Sequence, residues 1–350
     1  MRIGICTVYQ SYNCGSFLQA YALQKILSKK GTDVCFLHNK LILRDRLPFR
    51  LLQCLKFAWG EKKRLIRNLL DSYYNFKDAR KHLNIKRHAN DLDLIVLGSD
   101  TIWNISDPYF LKMWTVFWGK SFNTRKITYA ASVGGTKPSC FEDKIYLTDC
   151  LNDLDKIAVR DSATMSLVEK HVGFKKPVRV VDPTMLLSID EYKEIAHDCS
   201  DKDYILFYYF GEIHPKIKRA IKKYATDNRK KIIAFGADYG WADKYISLDP
   251  FDMLGYFANA DLIITNTFHG SVFSILFNKR FWAFAKEKNK VVDLLKEYGL
   301  EERLVSADDG FAPALADDLC FESANKILAK NKAESLEYLY NAISDNGVKE

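Results

Sequence analysis

The residues best suited to chemistry sit in one short stretch of this chain, ITNTFHGSVFSILF at positions 264–277. Asn266, Thr267, Phe268, His269, Gly270 and Ser271 form a polar clasp between two apolar runs. The run before it, DLIITN, is apolar and β-branched without helical spacing, which predicts a short buried strand. The run after it, GSVFSILF, is apolar nearly all round, which predicts a buried helix. The clasp is therefore a strand-to-helix turn. In open parallel sheets such turns lie at the carboxyl ends of the strands, where ligands bind. A helix N-terminus also carries free N–H groups and about half a positive charge, which attract anions. Gly270 would let a ligand approach the backbone, and Ser271 would cap the helix or donate to a phosphate. His269 would donate a hydrogen bond, carry charge or move a proton. Taken alone, His269 fits equally well a ring that bonds a neighbouring carbonyl and only holds the turn.

Other strand ends carry similar groups. Tyr12, Asn13, Gly15 and Ser16 follow the first apolar run, and Ser99, Asp100, Trp103 and Asn104 follow LIVL. Arg160 and Asp161 follow KIAV. Each set alone is an ordinary collection of turn and cap formers. Together, facing one cleft between two domains, they would make a site. Arg160 ends an apolar strand, so it would be partly buried and need an anionic partner. That partner is Asp161 or an interdomain carboxylate on one reading, and a phosphate on the other. Asp100 reads either as a general acid or base, or as the N-cap of the next segment.

The elements that must position these residues alternate between strand and helix. RIGICTV, DVCFLH, DLIVLGSD, KITYAASVGG, KIAVRD and VRVVDP read as strands, with a helix over GSFLQAYALQKILSKKG and a long helix to about His88. The rhythm breaks over 186–200, then resumes with YILFYYFGE, a helix from about His214, KIIAFG, KYISL, DLIITN and RFWAF. The fold class expected is α/β, with two Rossmann-like domains facing a cleft, 1–188 and 189–350. The second domain ends in a helix over about 321–343.

Composition narrows the setting. At 350 residues, 48% hydrophobic and 27% charged, the chain is an ordinary globular protein of two-domain size, neither disordered nor fibrous. It opens straight into a strand without a signal segment, and no apolar run approaches the roughly 18 residues of a membrane span. Eight cysteines without a CxxC pair read as reduced buried thiols, so a cytoplasmic setting is expected. Cys14, in a candidate active-site loop, reads as packing. The net charge of +8 is local: the segment 40–70 holds nine Lys or Arg against two acids, interleaved with Leu, Phe, Ile and Trp59. It predicts either a solvated basic face or a patch that docks on an anionic membrane, with Pro48 breaking it and a helix starting near Leu51. Nucleic acid is not an expected partner, because the charge is confined and the aromatic residues form no recognition motif. No metal cluster is apparent.

In order along the chain, YNCGSFLQAYALQ, LGSDTIWN, ITYAAS, VRDSATMSLV, VVDPTMLL, ILFYYFG and ADLIITNTFHGSVFSILFNKRFWAF resemble the polysaccharide pyruvyl transferase family over about residues 1–285. The resemblance implies a fold similar to two-domain GT-B glycosyltransferases. It implies transfer of pyruvate from phosphoenolpyruvate, a co-substrate with no further cofactor, to two hydroxyls of a cell-surface sugar precursor as a cyclic ketal. Arg160 and Asp161 match the family's Arg-Asp motif, and His269 its cleft histidine. Thr267 departs from the pattern, since many members carry Arg there. The implied donor set is Arg160, His269, Gly270, Ser271, Thr267 and Asn266. Tyr12, Asn13, Gly15, Ser16, Ser99, Trp103, Asn104 and Asp161 fall to the acceptor or the cleft. Catalysis falls to His269, Arg160 and Asp100, with the acid and base roles open between His269 and Asp100. The acceptor implied is a sugar, built in this family on a lipid carrier, which suits a peripheral position on the inner membrane face. The competing reading on the same fold is a glycosyltransferase using a nucleotide sugar.

Overall fold

The structure, a computed structural model, describes residues 1–38, 46–56, 59–86, 91–173, 175–306 and 321–344. Lys40 and Arg44 of the basic segment lie outside the described residues, as does His88.

Two five-stranded parallel sheets organise the chain. The first contains β1 (Arg2–Cys6), β2 (Asp33–Leu37), β3 (Ile85–Lys86), β4 (Leu94–Leu97) and β5 (Lys126–Thr128), in the order β3-β2-β1-β4-β5. A short ladder of β6 (Ala158–Val159) and β7 (Val178–Arg179) continues it through single bridges, one of them between Ala131 and Val159. The second sheet contains β8 (Tyr204–Tyr208), β9 (Lys231–Phe235), β10 (Lys244–Ile246), β11 (Leu262–Thr265) and β12 (Phe281–Ala283), in the order β10-β9-β8-β11-β12. The central strands β1, β4, β8 and β11 are buried along nearly their whole length, because helices cover both faces of each sheet. That two-sided burial is why these runs read as continuous apolar stretches rather than alternating ones.

Both sheets reverse direction of winding at the same place. In the first, β2 and β4 flank β1; in the second, β9 and β11 flank β8. A crevice opens at such a switch point, outside the carboxyl ends of the strands. The register sets those ends level: Cys6 pairs with Leu97, and Thr265 with Tyr208. Four turns, after β1, β4, β8 and β11, therefore emerge side by side.

The halves are tied together away from this crevice. The helix Trp59–Ala79 crosses to the second half, where Ser72 Oγ accepts from Leu248 N at 3.0 Å and Arg64 Nε pairs with Asp238 Oδ2 at 2.7 Å. Phe17 of the helix Cys14–Ser28 meets Phe251 edge-on at 5.9 Å. The last helix, Glu322–Ser344, returns to the first half: Ser335 Oγ accepts from Val181 N, Tyr338 OH donates to Thr128 O, and Arg125 Nη2 donates to Ala342 O.

Three local expectations are corrected. The long helix stops at Ala79, and a single 3₁₀ turn leads into β3, an edge strand of two residues too short to show a period. Pro48 opens a helix rather than breaking one: in Leu47–Cys54 it sits in the first turn, where a missing N–H costs nothing. The helix predicted from Gly270 begins two residues earlier, as Phe268–Leu276 capped by Thr267. Cys6, Cys14, Cys35 and Cys150 are buried free thiols. Among the described residues no helix is long and apolar enough to cross a membrane.

Candidate active site

The crevice between the sheets is a cleft of about 410 Å³. Each of the four level turns contributes to its wall. Val8, Ser11, Asn13 and Ser16 come from the turn after β1, and Asp100 and Thr101 from the turn after β4. Tyr208 and Phe210 come from the end of β8, and Asn266, Thr267, Phe268 and His269 from the turn after β11. Arg160, after β6, Lys288 and Lys290, after β12, and Phe110 complete the lining. Of the sequence-derived candidates, the structure brings His269, Arg160, Asp100, Asn266, Thr267, Asn13 and Ser16 to one wall.

Asp100 stands at the edge of the helix Cys14–Ser28. Its Oδ2 accepts from Ser16 Oγ at 2.5 Å, and its own backbone N–H donates to Ser99 Oγ at 2.5 Å. Its φ of 72° is a left-handed conformation that a non-glycine residue adopts at a cost, and such residues cluster at functional sites. Burial would raise its pKa, but Arg160, His269, the Ser16 hydroxyl and Lys290 together hold it below the usual carboxylate range. Asp100 is therefore an ionised acceptor at neutral pH.

Arg160 is almost wholly enclosed, with 3% of its side chain exposed, and pairs through Nη1 with Asp182 Oδ2 at 2.8 Å. Its guanidinium carbon lies 4.5 Å from the centre of the Phe268 ring. Burial would lower its pKa, but Asp182, Asp100 and Asp161 outweigh it and keep the cation. Arg160 Nε is buried and without a hydrogen-bond partner among the described residues. Lys290 Nζ also lies over Phe268, 5.9 Å from its centre. Burial, and then the neighbouring Arg160, push the Lys290 pKa down, with Asp100 working against them. Lys288 donates to Asn266 O at 2.6 Å, bracing the β11 turn.

His269 is clamped. On one side a methyl group on Gly15 would fall 2.1 Å from its Nδ1, so only glycine fits against the ring. On the other side Nε2 lies 3.8 Å from Asp182 Oδ2. The ring thus joins the two halves of the chain across the cleft.

Several sequence-derived assignments are corrected by these positions. Thr267, not Ser271, caps the helix, its Oγ1 accepting from Gly270 N at 2.9 Å; Ser271 Oγ turns inward to Thr267 O. Gly270 makes room for the Thr265 and Thr267 hydroxyls rather than for a ligand, since an added methyl would meet Thr265 Oγ1 at 2.1 Å. Trp103 is in the core, stacked on Trp118 with Nε1 donating to Phe117 O. Asn104 accepts from Thr136 Oγ1, and Tyr12 packs against Tyr73 and Phe76. Asp161 caps the helix Ser162–His171 through Thr164. Ser99 is buried behind Asp100, and Gly15 lies under His269. Sequence reasoning missed Lys288, Lys290 and Asp182. The lysines sit in KEKNK, which reads as a solvated loop, and Asp182 in DPT, which reads as a turn cap. Away from the cleft, ligand atoms of His197, Asp249 and Asp252 lie within 4.8 Å of one another, but Asp249 Oδ1 already accepts from Phe251 N and Asp252 N.

The paired sheets and the cleft between them define a GT-B-like α/β enzyme. The S. aureus MnaA–UDP structure superposes with a TM-score of 0.56 at 13% identity, covering 99% of this chain and 96% of that one. The UDP-GlcNAc 2-epimerase from Neisseria meningitidis bound to UDP-GlcNAc gives 0.54 at 8% identity, covering 99% and 100%. A UDP-N-acetylglucosamine 2-epimerase assigned in Listeria monocytogenes gives 0.54 at 11%, covering 100% and 96%. At these identities the likeness is one of fold. No curated protein matches the chain. The family itself is set by residues 13–287, which match the polysaccharide pyruvyl transferase family: the chain belongs to it, and is a transferase acting on a sugar or polysaccharide acceptor.

Proposed function

We propose that this enzyme moves pyruvate from phosphoenolpyruvate onto two hydroxyls of a sugar in a cell-surface polysaccharide precursor, forming a cyclic ketal. The observation that carries this reading is the juxtaposition of Arg160 and Lys290 with Asp100 and His269 on one cleft. Phosphoenolpyruvate bears a phosphate and a carboxylate, which call for separate cations. Lys290 supplies a cation to a site where Thr267 replaces the family's more usual Arg. His269 gives a proton to the methylene carbon, forming the new C–H bond of a methyl group. The first sugar hydroxyl attacks the resulting cationic carbon and passes its proton to Asp100, which is ionised and so able to accept it. The carbon–oxygen bond to phosphate breaks, and phosphate leaves with the electron pair and that proton. The second hydroxyl closes the ketal, and its proton restores His269. No cofactor beyond the co-substrate is called for.

The test is calorimetry with phosphoenolpyruvate and, separately, with nucleotide sugars, followed by mass spectrometry of product from candidate lipid-linked sugars. Binding of phosphoenolpyruvate and a pyruvylated product are expected. Binding of nucleotide sugars alone would overturn the reading in favour of glycosyl transfer.

The pH dependence of donor binding provides a second check. Because its pKa is lowered, Lys290 loses its charge at a lower pH than an exposed lysine, whose pKa is about 10.4. Phosphoenolpyruvate affinity is expected to weaken as pH rises toward that value, and Lys290→Arg to flatten the decline. An unchanged decline in the Arg variant would remove Lys290 from the donor site.

The basic segment supports peripheral docking on an anionic membrane face, where a lipid-linked acceptor would be met. The helix Leu47–Cys54 buries only Cys54 and leaves Leu52 60% exposed, with Phe49 and Leu55 also exposed. Arg46, Lys56, Lys63 and Arg67 are exposed around it, whereas Arg64 is engaged by Asp238. Each cation near an anionic surface contributes about 1 kcal/mol, so a few give salt-sensitive attachment. Co-sedimentation with phosphatidylserine vesicles at low salt is expected, lost at high salt and in the Lys56, Lys63 and Arg67 to Glu triple variant. Binding indifferent to lipid charge would refute docking by this patch.

A further inference from the structure

We propose that Asp182 is a positioning residue that holds the His269 proton on Nε2 and leaves Nδ1 as the ring atom that gives and regains the transferred proton. This rests on the reaction above, but the geometry behind it does not need a substrate. Asp182 follows β7, and its side chain is fully enclosed. Its two oxygens are divided. Oδ1 accepts from Thr184 N at 3.0 Å and Thr184 Oγ1 at 2.8 Å, which fixes the carboxylate plane. Oδ2 faces the site, where Arg160 Nη1 donates at 2.8 Å, Ser99 Oγ donates at 3.4 Å, and His269 Nε2 stands 3.8 Å away. Burial would raise the Asp182 pKa, but His269 and Arg160 hold it well below the usual carboxylate range, so the oxygen facing the ring is anionic.

An anion in front of a ring nitrogen favours an N–H there and opposes a lone pair. His269 Nε2 is buried, with no hydrogen-bond partner among the described residues, and the Asp182 carboxylate is the anion it faces. A closing of less than about 1 Å turns the contact into a hydrogen bond, and catalytic bonds are commonly long before substrate binds. The opposite edge of the ring carries Nδ1, which passes so close to Gly15 that any side chain there would collide with it, and His269 lines the cleft. In the transfer step Nδ1–H gives its proton to the methylene carbon and regains one from the second hydroxyl, while Nε2–H remains with Asp182 throughout. Sharing Oδ2 between Arg160 and His269 also couples the donor's anchor to the proton carrier. Asp182 comes from the first half and His269 from the second, so the tautomer is set across the cleft.

The experiment is nitrogen NMR of histidine-labelled protein with the ring neutral, using His269→Gln to identify the His269 signals among the seven histidines. The expected spectrum shows a protonated Nε2 and an unprotonated Nδ1. In Asp182→Asn, which keeps the size and removes the charge, that preference is expected to collapse into a mixture, with turnover down about a hundredfold. A neutral ring protonated on Nδ1 in the unaltered protein overturns the proposal, and this result needs no variant to fold. Loss of turnover in Asp182→Asn with the tautomer unchanged also overturns it. The expected tautomer without any transfer from phosphoenolpyruvate would sink the reaction assigned above and leave the role of Asp182 standing.

Discussion

Replacing His269 by alanine is expected to lower turnover by about two to four orders of magnitude, the usual contribution of a positioned proton carrier. The fold should survive, because the ring bears on a glycine backbone and on Asp182 rather than filling a hydrophobic core. Arg160 would still neutralise Asp182 at 2.8 Å, so no buried charge is stranded. Initial rates and a thermal melt on the same preparation separate the two effects. Near-normal turnover would mean that the proton reaches the methylene carbon by another route, and the catalytic assignment of His269 would fall.

Arg160→Ala should show a different pattern, with loss of donor binding and loss of stability together. The guanidinium is the closest cation to a fully buried carboxylate, and Asp100 and Asp161 also stabilise it. Removing one partner of a buried pair costs about 3–5 kcal/mol, because the other charge is left without compensation. Arg160→Lys tests which part matters. A lysine restores the charge facing Asp182, so most of the stability should return. It offers a point charge in place of a planar fork, so phosphoenolpyruvate affinity should stay low. Affinity fully restored by lysine would reduce Arg160 to a source of charge. An alanine variant with normal affinity would place the donor elsewhere.

How much of this was legible in the sequence depended on range. β1, β4, β8 and β11 were readable because strands covered on both faces are apolar throughout, and the turns after them carry polar groups. His269, Arg160 and Asp100 could be named because each closes such a strand. Direction was not readable. Ser99 and Trp103 follow the same strand as Asp100, yet neither lines the cleft, since position along the chain says little about where a side chain points in an irregular turn. Gly270 and Ser271 looked like an anion cradle, but Thr267 had already taken the cap. Lys290 and Asp182 were invisible for another reason: their importance comes from residues more than eighty positions away, Asp100 for the one and Ser99 together with His269 for the other. β3 escaped because two residues carry no period.

The return of the last helix to the first half bears on how the chain is made. Val181 N, Thr128 O and Arg125 Nη2 bond to Ser335, Tyr338 and Ala342. On the ribosome these positions are separated by an interval on the order of ten seconds at ordinary elongation rates. The first sheet can form during that time, but the surface that this helix covers waits until Glu322–Ser344 has been made. Vectorial synthesis therefore gives a nascent protein whose earlier half is completed last, and whose exposure to chaperones is governed by the length of the half that follows it.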